Sequence, residues 1–275
     1  MEVTYDGGLL SLLALGLIIT GAVAGTLAGL LGVGGGIVIV PVLFLMFDLL
    51  DIPNQVAMHL AVATSLATII PTSISSARAH LKKGTVDMAL LKGWSPLIFV
   101  GAAIGGVLAK FLESGTLTLI FGGIAFVVAL NMFRKKAMVL ADALPRGAFG
   151  YGVVPGLIGL FSALMGIGGG TLSVPTLSAF SVPVHRAVGT ASAFGLVIAI
   201  PAVAGFVWAG WGNALLPPLS VGYVNIPAAV LIFSASIVTA PFGAGIAHAL
   251  NAMALRRAFA FFLLLSSVNM LRSVL

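Results

Sequence analysis

Two glycine triplets carry the clearest chemical signal in the chain. Gly34, Gly35 and Gly36 close LGVGGG, and Gly168, Gly169 and Gly170 close MGIGGG; a proline, Pro41 or Pro175, stands five residues after each. Three glycines in a row permit positive φ, unwind a helix and let a ligand approach bare backbone. An apolar stretch restarts after each triplet, so the free N–H groups of a new first turn face the break. Such a turn, with its positive dipole end, attracts anions. Close helix packing is the competing use of small residues, and Gly21/Gly25/Gly29 and Gly101/Gly105 have that spacing. A nucleotide loop is excluded, because neither triplet has a strand context or the Lys-Ser/Thr of a phosphate-binding loop.

Hydroxyls supply most of the polar groups inside the apolar runs. Thr64 and Ser65 lie in HLAVATS, and Thr190 in HRAVGTA is followed by Ser192. Each can bond an oxyanion or its own helix carbonyl. We take these four, with the six triplet glycines, as the substrate-binding set. Arg78, His59 and His185 are possible anion or proton contacts, with helix ends and the membrane interface as the plainer setting for each; His80 and His248 are read as interfacial. Pro41 and Pro175 are read as helix-breaking. No Asp or Glu falls in the middle of an apolar segment, whereas a buried cation would need one as partner. No His/Asp/Glu cluster has metal-ligand spacing, and no Ser/His/Asp set suggests hydrolysis. The reading therefore assigns no metal, cofactor or catalytic residue, and the chain is not an enzyme.

The elements that must position these groups are membrane helices. Of 275 residues, 60% are hydrophobic and only 7% charged, against roughly 25% charged in soluble domains. The 13 basic residues are too scattered to track nucleic acid. Uncharged runs such as 7–47 and 187–255 exceed the 20 or so residues a spanning helix needs. Punctuation by Gly, Pro, Asn and charge divides them into ten segments, near 9–31, 37–50, 58–80, 93–112, 116–133, 148–165, 171–180, 187–211, 226–250 and 258–275. The second and seventh are short and contain the two prolines, which suits half-helices.

The chain also repeats itself. Residues 25–43 match 159–177 with nine of 19 positions identical, and HLAVATS matches HRAVGTA. Gly84-Thr-Val recurs as Gly222-Tyr-Val, and Asn131-Met-Phe-Arg as Asn269-Met-Leu-Arg. The expected architecture is an all-α polytopic membrane protein of eight to ten transmembrane segments, with half-helices at the glycine motifs. Two homologous repeats, 1–134 and 147–275, flank a basic linker, 135–146. An odd number of segments per repeat inverts the second, whereas re-entrant half-helices would leave the repeats parallel. With the N-terminus outside, 11 of the 13 Lys and Arg, the linker's included, fall on the cytoplasmic side.

In GVGGGIVIVP, GIGGGTLSVP, HLAVATS, HRAVGTA and GTVD (84–87) the chain resembles the sulfite exporter TauE/SafE family, over nearly its whole length. The resemblance implies a duplicated carrier of small anions in the bacterial plasma membrane. Its cargo would be a sulfur oxyanion or organosulfonate, of the sulfite, sulfoacetate or thiosulfate class. The second half departs at Asn225, opposite Asp87, and at Ala191, opposite Ser65, so the two sides of a site are chemically unequal. The expected function is secondary transport by alternating access, in the export direction that a negative-inside potential favours for an anion. Its partners are the anion and the lipid bilayer, with a homo-oligomer left open and no nucleic acid. An anion channel and a non-transporting assembly subunit are the alternatives.

Overall fold

The computed structural model describes residues 7–32, 34–133, 140–142, 144, 147, 149–246 and 252–274. Arg134, the linker's Lys135, Lys136 and Arg146, the acidic Glu2 and Asp6, and His248 lie outside the described residues, so the expected sidedness has no structural counterpart.

Ten α-helices follow the ten expected segments: α1 Gly7–Leu31, α2 Gly36–Leu49, α3 Asn54–Lys82, α4 Met88–Leu108, α5 Ser114–Phe133, α6 Val154–Leu164, α7 Gly170–Ala179, α8 Val184–Ala209, α9 Ile226–Ile246 and α10 Ala252–Arg272. Four, α3, α4, α8 and α10, start three to six residues earlier than their hydropathy suggests. Pro53 and Pro183, at the N-cap positions of α3 and α8, end the preceding turns, and Asp87 caps α4 by accepting from Ala89 N–H and Leu90 N–H. Caps outrank apolarity in setting a helix start. A π-turn, Phe149–Val153, leads into α6, and a two-residue antiparallel ribbon, β1 Ser220–Val221 with β2 Val224–Asn225, precedes α9. The ribbon is the one departure from an all-α fold among the described residues.

Six helices, α1, α3, α4, α5, α8 and α9, are long and apolar enough to cross a membrane among the described residues, fewer than the eight to ten segments expected. For two of the four remaining helices the cause is geometric. At 1.5 Å per residue, the 14 residues of α2 and the ten of α7 reach only about 21 and 15 Å, against a hydrocarbon core of about 30 Å. Both are half-helices.

Buried α3 is the axis of the fold and packs against α8, α9 and α2. On its flanks α1 lies along α9, and α4 lies between α6 and α8. Small residues make the flanking contacts close. A Cβ placed on Gly29 would sit 1.9 Å from Ala240 O, and one on Gly159 would sit 2.1 Å from Ile98 O. The packing use of the Gly21/Gly25/Gly29 and Gly101/Gly105 rows therefore holds, as dispersion contacts between backbones require in lipid.

Candidate functional site

The two glycine breaks meet. A Cβ on Gly34 would lie 2.8 Å from Gly168 Cα, and one on Gly36 would lie 2.3 Å from Gly166 O and 2.9 Å from Ile167 Cα. No side chain fits between them, so the backbones of the two motifs are in direct contact, and all six triplet glycines are buried. Gly34 and Gly35 both have φ +75°, whereas Gly169 has φ −56°. The two breaks are thus unequal in backbone as well as in sequence. In α7 the Ser173 N–H donates to Gly169 O at 2.9 Å, and in α2 the Val38 N–H donates to Gly35 O at 3.0 Å. The N–H groups before these first rungs stand outside the helical ladder, at the junction of the breaks.

Neither proline breaks its helix. Pro41 and Pro175 lie inside α2 and α7, as the sixth residue of each, which corrects the expectation. So near an N-terminus a proline forfeits a single early ladder bond, and the chain continues helical beyond it. The interruptions belong to the glycines upstream.

The repeat-equivalent threonines tie helices together across the molecule. Thr64 Oγ1 accepts a hydrogen bond from Asn225 N–H at 3.0 Å, and Thr190 Oγ1 accepts one from Asp87 N–H at 2.9 Å. Asn225 and Asp87 in turn accept with Oδ1 from the first turns of α9 and α4. Ser65 Oγ donates to Gly166 O at 2.7 Å, tying α3 to the second break, while Ser192 Oγ donates to Gly189 O within its own helix at 2.6 Å. Ser65 is therefore the hydroxyl of the expected set that touches a glycine motif directly among the hydrogen bonds described.

Arg78 and the histidines do not converge on the breaks. Arg78 is exposed on α3, and His185 is exposed at the second residue of α8. His59 is buried elsewhere: its Nε2 lies 3.0 Å from Ala109 O and 3.1 Å from Leu112 O, and its ring stacks on Tyr223 at 4.7 Å. His80 is not interfacial but buried, with Nε2 2.9 Å from Gly29 O. A glycine on α1 brings that carbonyl within reach of the imidazole.

Other groups of this region escaped the sequence reading. Buried Ser162, Thr171 and Ser173 each have a hydroxyl without a hydrogen-bond partner, as does the Trp94 indole N–H. In the first repeat the positions matching Thr171 and Ser173 are Ile37 and Ile39, and that contrast was the available signal. A cavity of about 410 Å³ opens at Thr171, between Leu31 and Ile37 on one side and α7 on the other. Asp87 also pairs with Arg186 of α8 at 3.2 Å.

The capping role and the ion pair of Asp87 can be separated. Arg186 is 59% exposed, so Arg186→Ala is expected to cost under about 1 kcal/mol. Asp87→Ala also uncaps α4 and should cost about 1–2 kcal/mol, whereas Asp87→Asn, the residue found at the matching position 225, should retain the cap. Unfolding midpoints of the three variants in detergent check the order.

The chain matches the family Sulfite exporter TauE/SafE over residues 17–270. It belongs to that family. The TauE/SafE chain is 34% identical to "Probable membrane transporter protein" of Haemophilus influenzae, over 92% of this chain and 96% of that one. It is 32% identical to "Probable membrane transporter protein YunE" of Bacillus subtilis, over 63% and 71%. It is 31% identical to "Probable membrane transporter protein MJ0441" of Methanocaldococcus jannaschii, over 78% and 79%. No solved structure matches it. This TauE/SafE protein is a multi-pass membrane transporter and not an enzyme.

Proposed function

We infer that the protein is a secondary carrier that moves a small anion, of the sulfur oxyanion or organosulfonate class, out across a bacterial plasma membrane by alternating access. The meeting of the two glycine breaks beside a cavity carries this reading, because each break begins a half-helix whose N-terminal N–H groups suit an anion. Inverted repeats, 1–134 and 147–275, are the moving parts, and the linker 135–146 is cytoplasmic. The sequence repeat supports this division, as do the crossed pairings of α1 with α9 and α4 with α6 and the reciprocal Thr64–Asn225 and Thr190–Asp87 bonds. Gly34–Gly36, Gly168–Gly170 and Ser65 form the meeting point, while Thr64, Thr190 and Ser192 shape the helices around it. In this state the backbones of the breaks touch, so rocking must part them to pass the anion from one face to the other.

Proteoliposomes loaded with unlabelled sulfite test the reading. Uptake of radiolabelled sulfite is expected to saturate and to be accelerated by the trapped anion. A flux that rises linearly with concentration and ignores the trapped anion identifies a channel instead.

A further inference from the structure

One face of α3 is polar from the breaks to the helix end, and the same face of its repeat counterpart is not. Ser65, Thr68, Thr72, Ser76 and His80 recur every three or four residues, so they share one side of α3, and all five are buried. Ser65 sits at the break, on Gly166 O. Farther along, Thr72 Oγ1 and Ser236 Oγ of α9 lie 2.5 Å apart, and Ser76 Oγ donates to Ala28 O of α1 at 3.4 Å. Beside them Ser75 Oγ donates to Ile237 O at 2.9 Å. At the far end His80 Nε2 lies 2.9 Å from Gly29 O of α1, and Lys83 Nζ donates to Ala244 O of α9. Hydrogen bonds thus run along the seam between α3 and the α1–α9 pair, and its mouth lies where α3 carries the exposed Arg78, Lys82 and Lys83.

The second repeat builds the matching seam from apolar groups. Continuing the HLAVATS–HRAVGTA match without a gap sets Ala191, Phe194, Ile198, Ala202 and Phe206 of α8 opposite those five. All are buried, and α8 packs on α4, with Gly106 against Ala202. Equivalent bonds at the two helix ends support this register: Thr85 N–H donates to His80 O at 3.2 Å, and Tyr223 N–H donates to Phe206 O at 3.5 Å. The GTV–GYV match likewise sets Ile98 of α4 opposite Ser236. Where the first seam has the Thr72–Ser236 hydroxyl pair, the second therefore has Ile198 and Ile98. Packing alone does not call for the hydroxyls, since apolar side chains fill the same positions in α8. Parting differs, however. Water takes the place of each partner a hydroxyl loses, so the net cost is small, whereas an apolar seam opened to water is opposed by its whole exposed area.

We propose that the seam between α3 and the α1–α9 pair is a closed stretch of the transport path, leading polar anionic cargo between the glycine breaks and the end of the molecule that carries Lys82 and Lys83. His80 and Lys83 are its latches, each holding α3 to a backbone carbonyl across the mouth. When the latches release, Thr72 and Ser76 exchange their present partners for water and the passing anion, while the α8 seam stays packed. This rests on the carrier reading and adds a route to it.

The chain contains no cysteine, so single cysteines report on the route without background. Thr72→Cys and Ser76→Cys probe the first seam, and Ile198→Cys and Ala202→Cys the matching positions of the second. Each full-length variant is reconstituted in proteoliposomes, and the anionic thiol reagent sulfonatoethyl methanethiosulfonate is added on both sides of the membrane. Sulfite counterflow is followed in parallel. The first-seam cysteines are expected to react about tenfold faster than the matched pair or more, to be slowed by sulfite, and to lose flux as they react. His80→Phe, which installs the residue type found at position 206, removes one latch and should raise the Ser76→Cys rate about tenfold, because labelling follows the open population. Lys83→Met removes the other latch and gives the same reading if His80→Phe does not fold. First-seam cysteines that stay unreactive while counterflow proceeds, or matched cysteines that react as fast, overturn this route and leave the carrier reading standing. If the unsubstituted protein shows no counterflow while the first-seam cysteines react, the carrier reading falls and the seam is kept as an aqueous path.

Discussion

Gly34→Ala is expected to destabilise the protein by about 3 kcal/mol or more, and any protein that still folds should have lost transport. Two costs combine at this position. The residue has φ +75°, a conformation that costs a side-chain-bearing residue about 1–2 kcal/mol. The added Cβ also falls 2.8 Å from Gly168 Cα, which is backbone and cannot swing aside. Overpacking of that kind adds about 1–3 kcal/mol. Gly84→Ala supplies the control: its φ is +66°, but nothing lies within 4 Å of the new Cβ. It should show the conformational cost alone, about 1 kcal/mol. Unfolding midpoints in detergent measure both, and equal losses in the two variants would mean that the breaks do not press on one another.

Thr64→Val should cost about 2–3 kcal/mol, and Thr190→Val only about 1 kcal/mol, although the two hydroxyls make matching bonds. Valine keeps the shape of threonine and removes the acceptor, leaving a backbone N–H without its partner. At Asn225 that N–H belongs to a residue only 9% exposed, where water cannot take the place of Thr64. Asp87 is half-buried at the start of α4, so water can replace much of what Thr190 supplied. Serine at either position retains the oxygen and should recover most of the loss. The same midpoint measurement applies, and a larger loss at Thr190 would contradict this account of water access.

The unequal pair illustrates why the site was only partly legible in the sequence. Repeat equivalence singled out Thr64 and Thr190, and both proved to be buried and to face the other half of the chain. What they do there, accepting from the residues that cap α9 and α4, depends on partners more than 100 positions away. Repeat equivalence misled for His59 and His185, one buried and stacked on Tyr223, the other exposed at a helix start. A shared motif conveys residue type, but burial depends on what packs against it. Thr171 was overlooked for a related reason. A hydroxyl in an apolar half-helix reads as ordinary until every neighbouring acceptor is known to be out of reach.

By itself the sequence determined the membrane setting, all ten helices within a few residues, the two breaks and the family. These follow from local quantities: apolar length against bilayer thickness, glycine's backbone freedom, and motif spacing along the chain. Tertiary structure alone decided that the two breaks touch, that Ser65 reaches Gly166 O, and that a cavity opens at Thr171. Those are contacts between distant segments. In lipid, the apolar faces of the helices gain little by choosing one neighbour over another, so close backbone fit and a few buried hydrogen bonds select the partners, and both exist only once the helices are packed.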